Sequence, residues 1–169
     1  PVLGMFSFTA DLCTDCVECS LSGETVAVGC YQLDPDGTKT GGIYLFDKTL
    51  NSKPRAFVST DAVLDMRWRG EELLLACNSR GLGVLRDSRV EYSTEACDQV
   101  HLSLDYNTEY IYSSTNQGRV NIYDHSLVLR DHLQVHELET WMVCADGENV
   151  IYTGADDCEW KGWDVRGRQ

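Results

Sequence analysis

Short apolar runs alternate with polar turn clusters along the whole chain, and nowhere does a 3.6-residue period persist. Four runs carry the β-branched and aromatic residues that suit a pleated surface. They are Thr25-Val26-Ala27-Val28-Gly29-Cys30, Leu73-Leu74-Leu75-Ala76-Cys77, Tyr110-Ile111-Tyr112-Ser113-Ser114 and Val150-Ile151-Tyr152-Thr153-Gly154. Ahead of each lies another run: Cys16 to Leu21, Val63 to Trp68, Val100 to Asp105 and Trp141 to Asp146. Behind each comes a third that ends in aspartate: Ile43 to Asp47, Gly83 to Asp87, Val120 to Asp124 and Lys161 to Asp164. Weaker runs at Pro54 to Ser59, Val90 to Thr94 and Leu127 to Leu133 predict outer strands. Turn formers such as Ser22-Gly23, Arg69-Gly70, Asp146-Gly147 and Asn116-Gln117-Gly118 mark the joins. The polar stretch Asp34 to Gly41 reads as a long surface loop between the second and third strands of the first unit. The pattern predicts an all-β chain.

The four aspartates stand 40, 37 and 40 positions apart. Four strands in a period of ~40 residues is the signature of a β-propeller blade, a sheet that cannot bury both faces alone and must stack on its neighbours. The period predicts four blades at approximately residues 11–59, 60–95, 96–134 and 135–169, the last lacking its outer strand. Residues 1–10, through Met5 to Ala10, are expected as the outer strand of a closing blade, for sixteen strands in all.

The fourth blade carries the most specific pattern, that of a WD repeat. His136, Thr153, Asp156 or Asp157, and Trp163 occupy the places of its structural tetrad. The indole N–H of Trp163 would donate to Thr153, Thr153 would pass the chain to His136, and an aspartate in the tight turn would hold the other ring nitrogen. Blades one to three have Phe46, Arg86 and Tyr123 in place of the tryptophan and show no evident tetrad histidine.

Composition narrows the classes. Of 169 residues, 43% are hydrophobic and 24% charged, enough for a packed core. The longest apolar run falls far short of the ~20 residues of a membrane span, and no charged-then-apolar leader is visible. The chain opens on Pro1, which suggests processing or a piece of something longer. With 27 acidic and 14 basic residues the net charge is −13, so nucleic acid is a poor partner and a basic protein a better one. Eight cysteines lie mostly in apolar stretches and read as free thiols of a reducing compartment. Cys13, Cys16 and Cys19 have a spacing that could seed a metal site, but no fourth ligand stands nearby and i, i+3 positions on a strand do not converge, so no metal is expected. No cofactor is expected either.

Beyond the repeat, several runs resemble the diphthine methyl ester hydrolase family, the WD-repeat proteins of diphthamide biosynthesis. They are Val17-Glu18-Cys19, Ala27 to Leu33, Val63 to Trp68, Leu102 to Tyr106, His136-Glu137-Leu138-Glu139-Thr140-Trp141 and Tyr152 to Arg166. The resemblance implies a seven-bladed propeller of which this chain supplies about four blades. It also implies a cytoplasmic esterase that demethylates the methylated diphthine of elongation factor 2, with other proteins of the same pathway as further partners. No Gly-x-Ser-x-Gly elbow and no His-Glu-x-x-His motif is present, so a base acting on water or on an unassigned nucleophile remains. His136 and Glu139 are the candidate catalytic residues, although the tetrad accounts for His136 without catalysis. Asp65 and Asp105 fall on inner strands with one face toward the channel, and either a structural or a functional role fits them. Trp141, Trp160 and Tyr106 would suit the trimethylammonium group of such a substrate. The rival reading is a non-catalytic WD-repeat scaffold that binds protein.

Overall fold

The structure, a computed structural model, describes residues 7–48, 53–77, 80–93 and 99–166. Among them fifteen strands and no helix occur, arranged in four antiparallel sheets whose strands follow one another in sequence order. The first sheet holds β1 (Cys13–Cys19), β2 (Thr25–Leu33), β3 (Lys39–Asp47) and β4 (Ala56–Thr60). The second holds β5 (Val63–Arg69), β6 (Glu72–Cys77), β7 (Gly81–Arg86) and β8 (Arg89–Tyr92). The third holds β9 (His101–Tyr106), β10 (Ile111–Thr115), β11 (Arg119–Tyr123) and β12 (Leu129–Gln134). The last has three strands, β13 (Thr140–Ala145), β14 (Val150–Ala155) and β15 (Trp160–Asp164). Each sheet is one blade of an all-β propeller arc, and the inner strands β1, β5, β9 and β13 lie against one another in turn.

Two sequence expectations change. The Asp34 to Gly41 loop is shorter, because β2 and β3 pair as far as Leu33↔Lys39 and leave a turn of residues 34–38. Of the expected closing strand, Met5 and Phe6 lie outside the described residues, and residues 7–10 form no strand. Phe8 instead meets the rings of Tyr44 and Phe46 edge-on, at 5.1 and 5.4 Å, so side-chain packing rather than a backbone ladder holds this segment to blade one.

The period-two alternation of the strands builds three cores, one at each blade junction. Leu73 and Leu75 of β6 join Ala27, Ile43 and Leu45 of blade one. Leu74 and Ala76 of the same strand face the other way, onto Leu104, Ile111 and Tyr123 of blade three. Tyr112, Val120 and Ile122 meet Val143 and Ile151 of blade four. A strand buried on both faces reads as an unbroken apolar run, as Leu73 to Cys77 does.

Aspartates and asparagines explain why the period is so regular. Asp124 Oδ1 accepts the amides of Ser126 and Val128 at 2.8 and 3.0 Å, which turns the chain out of β11 toward β12. Asn107 and Asp146, 39 positions apart, do the same between first and second strands: Asn107 accepts Glu109 and Tyr110 amides, and Asp146 accepts those of Glu148 and Val150. Between β7 and β8, Asp87 and Ser88 both take positive φ, 46° and 63°, the geometry a two-residue hairpin needs.

Asp65 and Asp105 are junction groups. Asp65 Oδ2 accepts Ser103 Oγ at 2.8 Å and the Leu104 amide at 3.0 Å, across the gap to blade three. Asp105 Oδ2 accepts the Ala145 amide of blade four at 2.8 Å. Arg67 completes the series, donating to Asp65 at 2.7 Å and to Glu18 of blade one at 3.1 Å. Tyr106 donates its hydroxyl to the Trp68 carbonyl at 2.9 Å, which gives it a structural task.

Blade three contains a buried histidine that the sequence pattern did not mark as part of a tetrad. His101 is fully buried and bonds through Nδ1 to Ser113 Oγ at 2.8 Å, and Ser113 donates onward to the Ser103 carbonyl at 3.1 Å. Burial pulls the His101 imidazole down from 6.5 to about 4. The neutral ring is favoured in the fold, so its contribution is whole above pH 6.5 and drains away between there and pH 4, as the unfolded chain takes up the proton first. We expect acidification from pH 7 to 4.5 to destabilise the chain by about 2 kcal/mol through this group alone. Thermal melts should show that loss shrinking in His101→Gln; an equal acid sensitivity in that variant would assign it to other groups.

Candidate functional site

The site is built on one edge of blade four, where the loop of residues 135–139 before β13 meets the β14–β15 turn of residues 156–159. Two local features place His136 there. Gly118, at φ +74°, accepts both the Val135 and His136 amides on its carbonyl, at 2.9 and 3.0 Å. A Cβ on Gly118 would come within 2.2 Å of the His136 carbonyl oxygen, so the close approach requires glycine.

From that position a continuous hydrogen-bonded chain runs through the blade. Trp163 Nε1 donates to Thr153 Oγ1 at 3.1 Å, and Thr153 Oγ1 stands 2.8 Å from His136 Nε2. His136 Nδ1 lies 2.7 Å from Asp157 Oδ2. The Asp157 carboxylate can only accept, so Nδ1–H donates to it; in the neutral ring Nε2 then accepts the Thr153 hydroxyl proton, while Thr153 Oγ1 accepts the indole N–H. His136 and Thr153 are 2% and 3% exposed, and every polar atom in this buried chain has a partner. Both ring nitrogens of His136 are therefore engaged within the buried chain, which gives the imidazole a structural role.

The two turn aspartates separate cleanly. Burial pushes the Asp157 carboxyl up, but the His136 hydrogen bond, the Glu159 amide and the charge of Lys161 together hold it below the usual range. Asp156 is outside the chain: its Oδ1 accepts the Trp141 indole N–H at 2.8 Å on the exposed side. Trp141 reaches it because it is the extra residue of a β-bulge, between the pairs Thr140↔Ala155 and Met142↔Gly154. Sequence spacing had no means to choose between adjacent aspartates. The bulge decides.

Glu139 differs from its neighbours. Its carbonyl accepts the Asp156 amide at 3.2 Å, tying the two loops together. Its carboxylate is half-buried and, among the described residues, in no hydrogen bond or ion pair. Beside it in the loop stand Glu137 and exposed Leu138, with Asp156 and exposed Trp141 next to it, an acidic surface edged with an aromatic ring. Such a surface attracts cationic groups and offers one free carboxylate as a proton acceptor.

Metal binding is not favoured here. His136, Asp157 and Glu159 bring ligand atoms within 4.8 Å of one another, but Lys161 Nζ already sits 2.8 Å from Glu159 and 3.8 Å from Asp157. Among the described residues, Cys13, Cys16 and Cys19 form no such cluster. Burial, with Asp65 and Asp15 nearby, pushes the Cys16 thiol far up.

No family model matches the chain. In sequence it is similar to a diphthine methyltransferase homolog of Dictyostelium discoideum, 28% identical over 125 residues, covering 61% of this chain and 34% of that protein. It is likewise similar to the diphthine methyltransferase of Mus musculus, 28% identical over 190 residues, covering 83% of this chain and 40% of that one. The chain thus spans well under half the length of these curated relatives, and the similarity agrees with the resemblance read from its sequence runs. In structure it is similar to the computationally designed Ika4 protein, with a TM-score of 0.72, 16% identity and coverage of 96% of this chain and 99% of that chain. The designed Ika8 protein matches at 0.70 and 16%, over 90% of this chain and 46% of that one. A chain of the Mitotic Checkpoint Complex matches at 0.70 and 16%, over 90% of this chain and 51% of that one. These likenesses establish the β-propeller fold alone.

The separation of the aspartates is open to test. Asp157→Asn should lower the melting temperature, and Trp163→Phe should cost about 1–3 kcal/mol by leaving a buried polar chain short of a donor. Asp156→Asn, whose bond to Trp141 lies in solvent, should melt with the parent. Equal melting of the two aspartate variants would overturn the assignment.

Proposed function

We propose that this chain is part of an esterase of diphthamide biosynthesis that removes the methyl group from methylated diphthine on elongation factor 2 in the cytoplasm. The reading rests on the similarity to two relatives named diphthine methyltransferase, together with the unpaired, half-buried Glu139 carboxylate. In the proposed step Glu139 takes a proton from water, and the water oxygen attacks the ester carbonyl. The tetrahedral intermediate collapses with loss of methoxide, which takes up a proton and leaves as methanol; the other product is the free carboxylate. The acidic, aromatic-edged loops around Trp141 and Asp156 suit the trimethylammonium group of that side chain. Other proteins of the same pathway would be further partners.

The relatives' name speaks of methyl transfer, whereas hydrolysis consumes the methyl ester. The two reactions differ in product, since only hydrolysis releases methanol. A second reading, a non-catalytic scaffold, draws support from Trp160, which is 77% exposed, and Trp141, 49% exposed, both in blade four.

The test uses the complete protein and methylated elongation factor 2. We expect methanol release, slowed about 100-fold or more by Glu139→Gln with an unchanged melting temperature. The 169-residue chain alone should be inactive, because a site at the mouth of a ring draws groups from several blades. An unchanged rate in the glutamine variant removes Glu139 from the site. Binding without methanol favours the scaffold.

A further inference from the structure

A second concavity lies far along the arc from His136, between the outer strands of blades one and two. It encloses about 670 Å³ and is lined chiefly by Lys39, Thr60, Arg80, Arg89, Val90 and Tyr92. Both strands that wall it, β4 and β8, are the last of their sheets, so each has one edge without a strand partner. Such an edge is a template for an extended segment.

The charge of this groove runs against that of the molecule. The chain carries −13, and many of its cations are consumed in ion pairs, as with Arg67, Arg69, Arg86 and Arg130. Arg80 and Arg89 are exposed and, among the described residues, have no carboxylate partner. Asp61, the one acid in the wall, accepts the Ala62 amide at 2.8 Å and the Arg80 amide at 3.1 Å. Arg80 is also positioned in advance, its guanidinium 5.0 Å over the Tyr92 ring. The Tyr92 hydroxyl is in turn fixed by Thr60 Oγ1 and the Asp61 amide. Arg89 and Tyr92 mark the two ends of β8, about 10 Å apart at strand rise. The cations thus stand at both ends of an open strand edge, a spacing that matches acidic side chains a few residues apart in an extended peptide.

We propose that this groove docks an acidic peptide segment laid along β8, its carboxylate or phosphoryl groups taken by Arg80 and Arg89. Nothing in this proposal depends on the chemistry at Glu139.

The experiment is fluorescence anisotropy on the 169-residue chain at low ionic strength, with labelled hexaglutamate, a phosphoserine hexapeptide and a neutral glycine–serine hexapeptide. One or both acidic peptides should bind, and whichever binds more tightly identifies the preferred group, while the neutral peptide should not. Physiological salt should weaken that binding about tenfold. The double variant Arg80→Gln, Arg89→Gln should lose it by about tenfold or more, and the single Arg89→Glu, at an exposed position, should do so without a change in melting temperature. Binding of neither acidic peptide above the neutral control overturns the proposal. So does undiminished binding by the folded double variant, or tighter binding of a single-stranded oligonucleotide of equal charge.

Discussion

Burial of each sheet on both faces is the constraint on which the rest of the structure depends. A four-stranded blade has two apolar surfaces and no means of covering them itself. In this chain the alternation along a single strand, Leu73 and Leu75 to one side and Leu74 and Ala76 to the other, feeds two separate cores. Removing one blade would expose the facing surfaces of its neighbours, so stability is shared along the arc rather than held within any blade. On blade four the surface away from blade three shows the consequence, with Met142, Tyr152 and Trp160 left exposed.

Polar groups finish what packing begins. Apolar surfaces slide; directed bonds fix register. Asp65 and Asp105 each reach across a junction to a backbone amide of the next inner strand, and the Tyr106 hydroxyl reaches back to blade two. The buried chain from Trp163 to Asp157 does the same within blade four, joining β15 and β14 to the two loops and pinning the loop that carries Glu139. The loops that offer the Glu139 carboxylate and the exposed Trp141 ring are held by a network whose own members are fully engaged. Rigid support and exposed chemistry are thus divided between adjacent residues, with Asp157 inside and Asp156 outside.

The same division separates the two surfaces that the molecule presents. The edge of blade four is acidic and aromatic, and it suits a cationic group. The groove between β4 and β8 presents Arg80 and Arg89, which among the described residues have no carboxylate partner, on a chain that is otherwise strongly acidic.

Much of this was legible in the residues themselves. The period-two alternation, the turn formers and the aspartates some forty positions apart carry the four sheets and their order, because strand pairing and turn chemistry are local. The four-membered chain in blade four was legible too, since its members keep fixed places on consecutive strands. Tertiary structure alone decided what depends on direction across a gap. It took the Trp141 bulge to assign Asp156 to the surface and Asp157 to His136. Burial placed both His136 ring nitrogens inside the hydrogen-bonded chain, and the depth of blade three made His101 a second buried histidine beside Ser113. Whether Asp65 and Asp105 face a channel or a neighbouring strand also rests on contacts between residues about forty positions apart. Spacing along a chain records which face a side chain takes, but not what the next blade places against it.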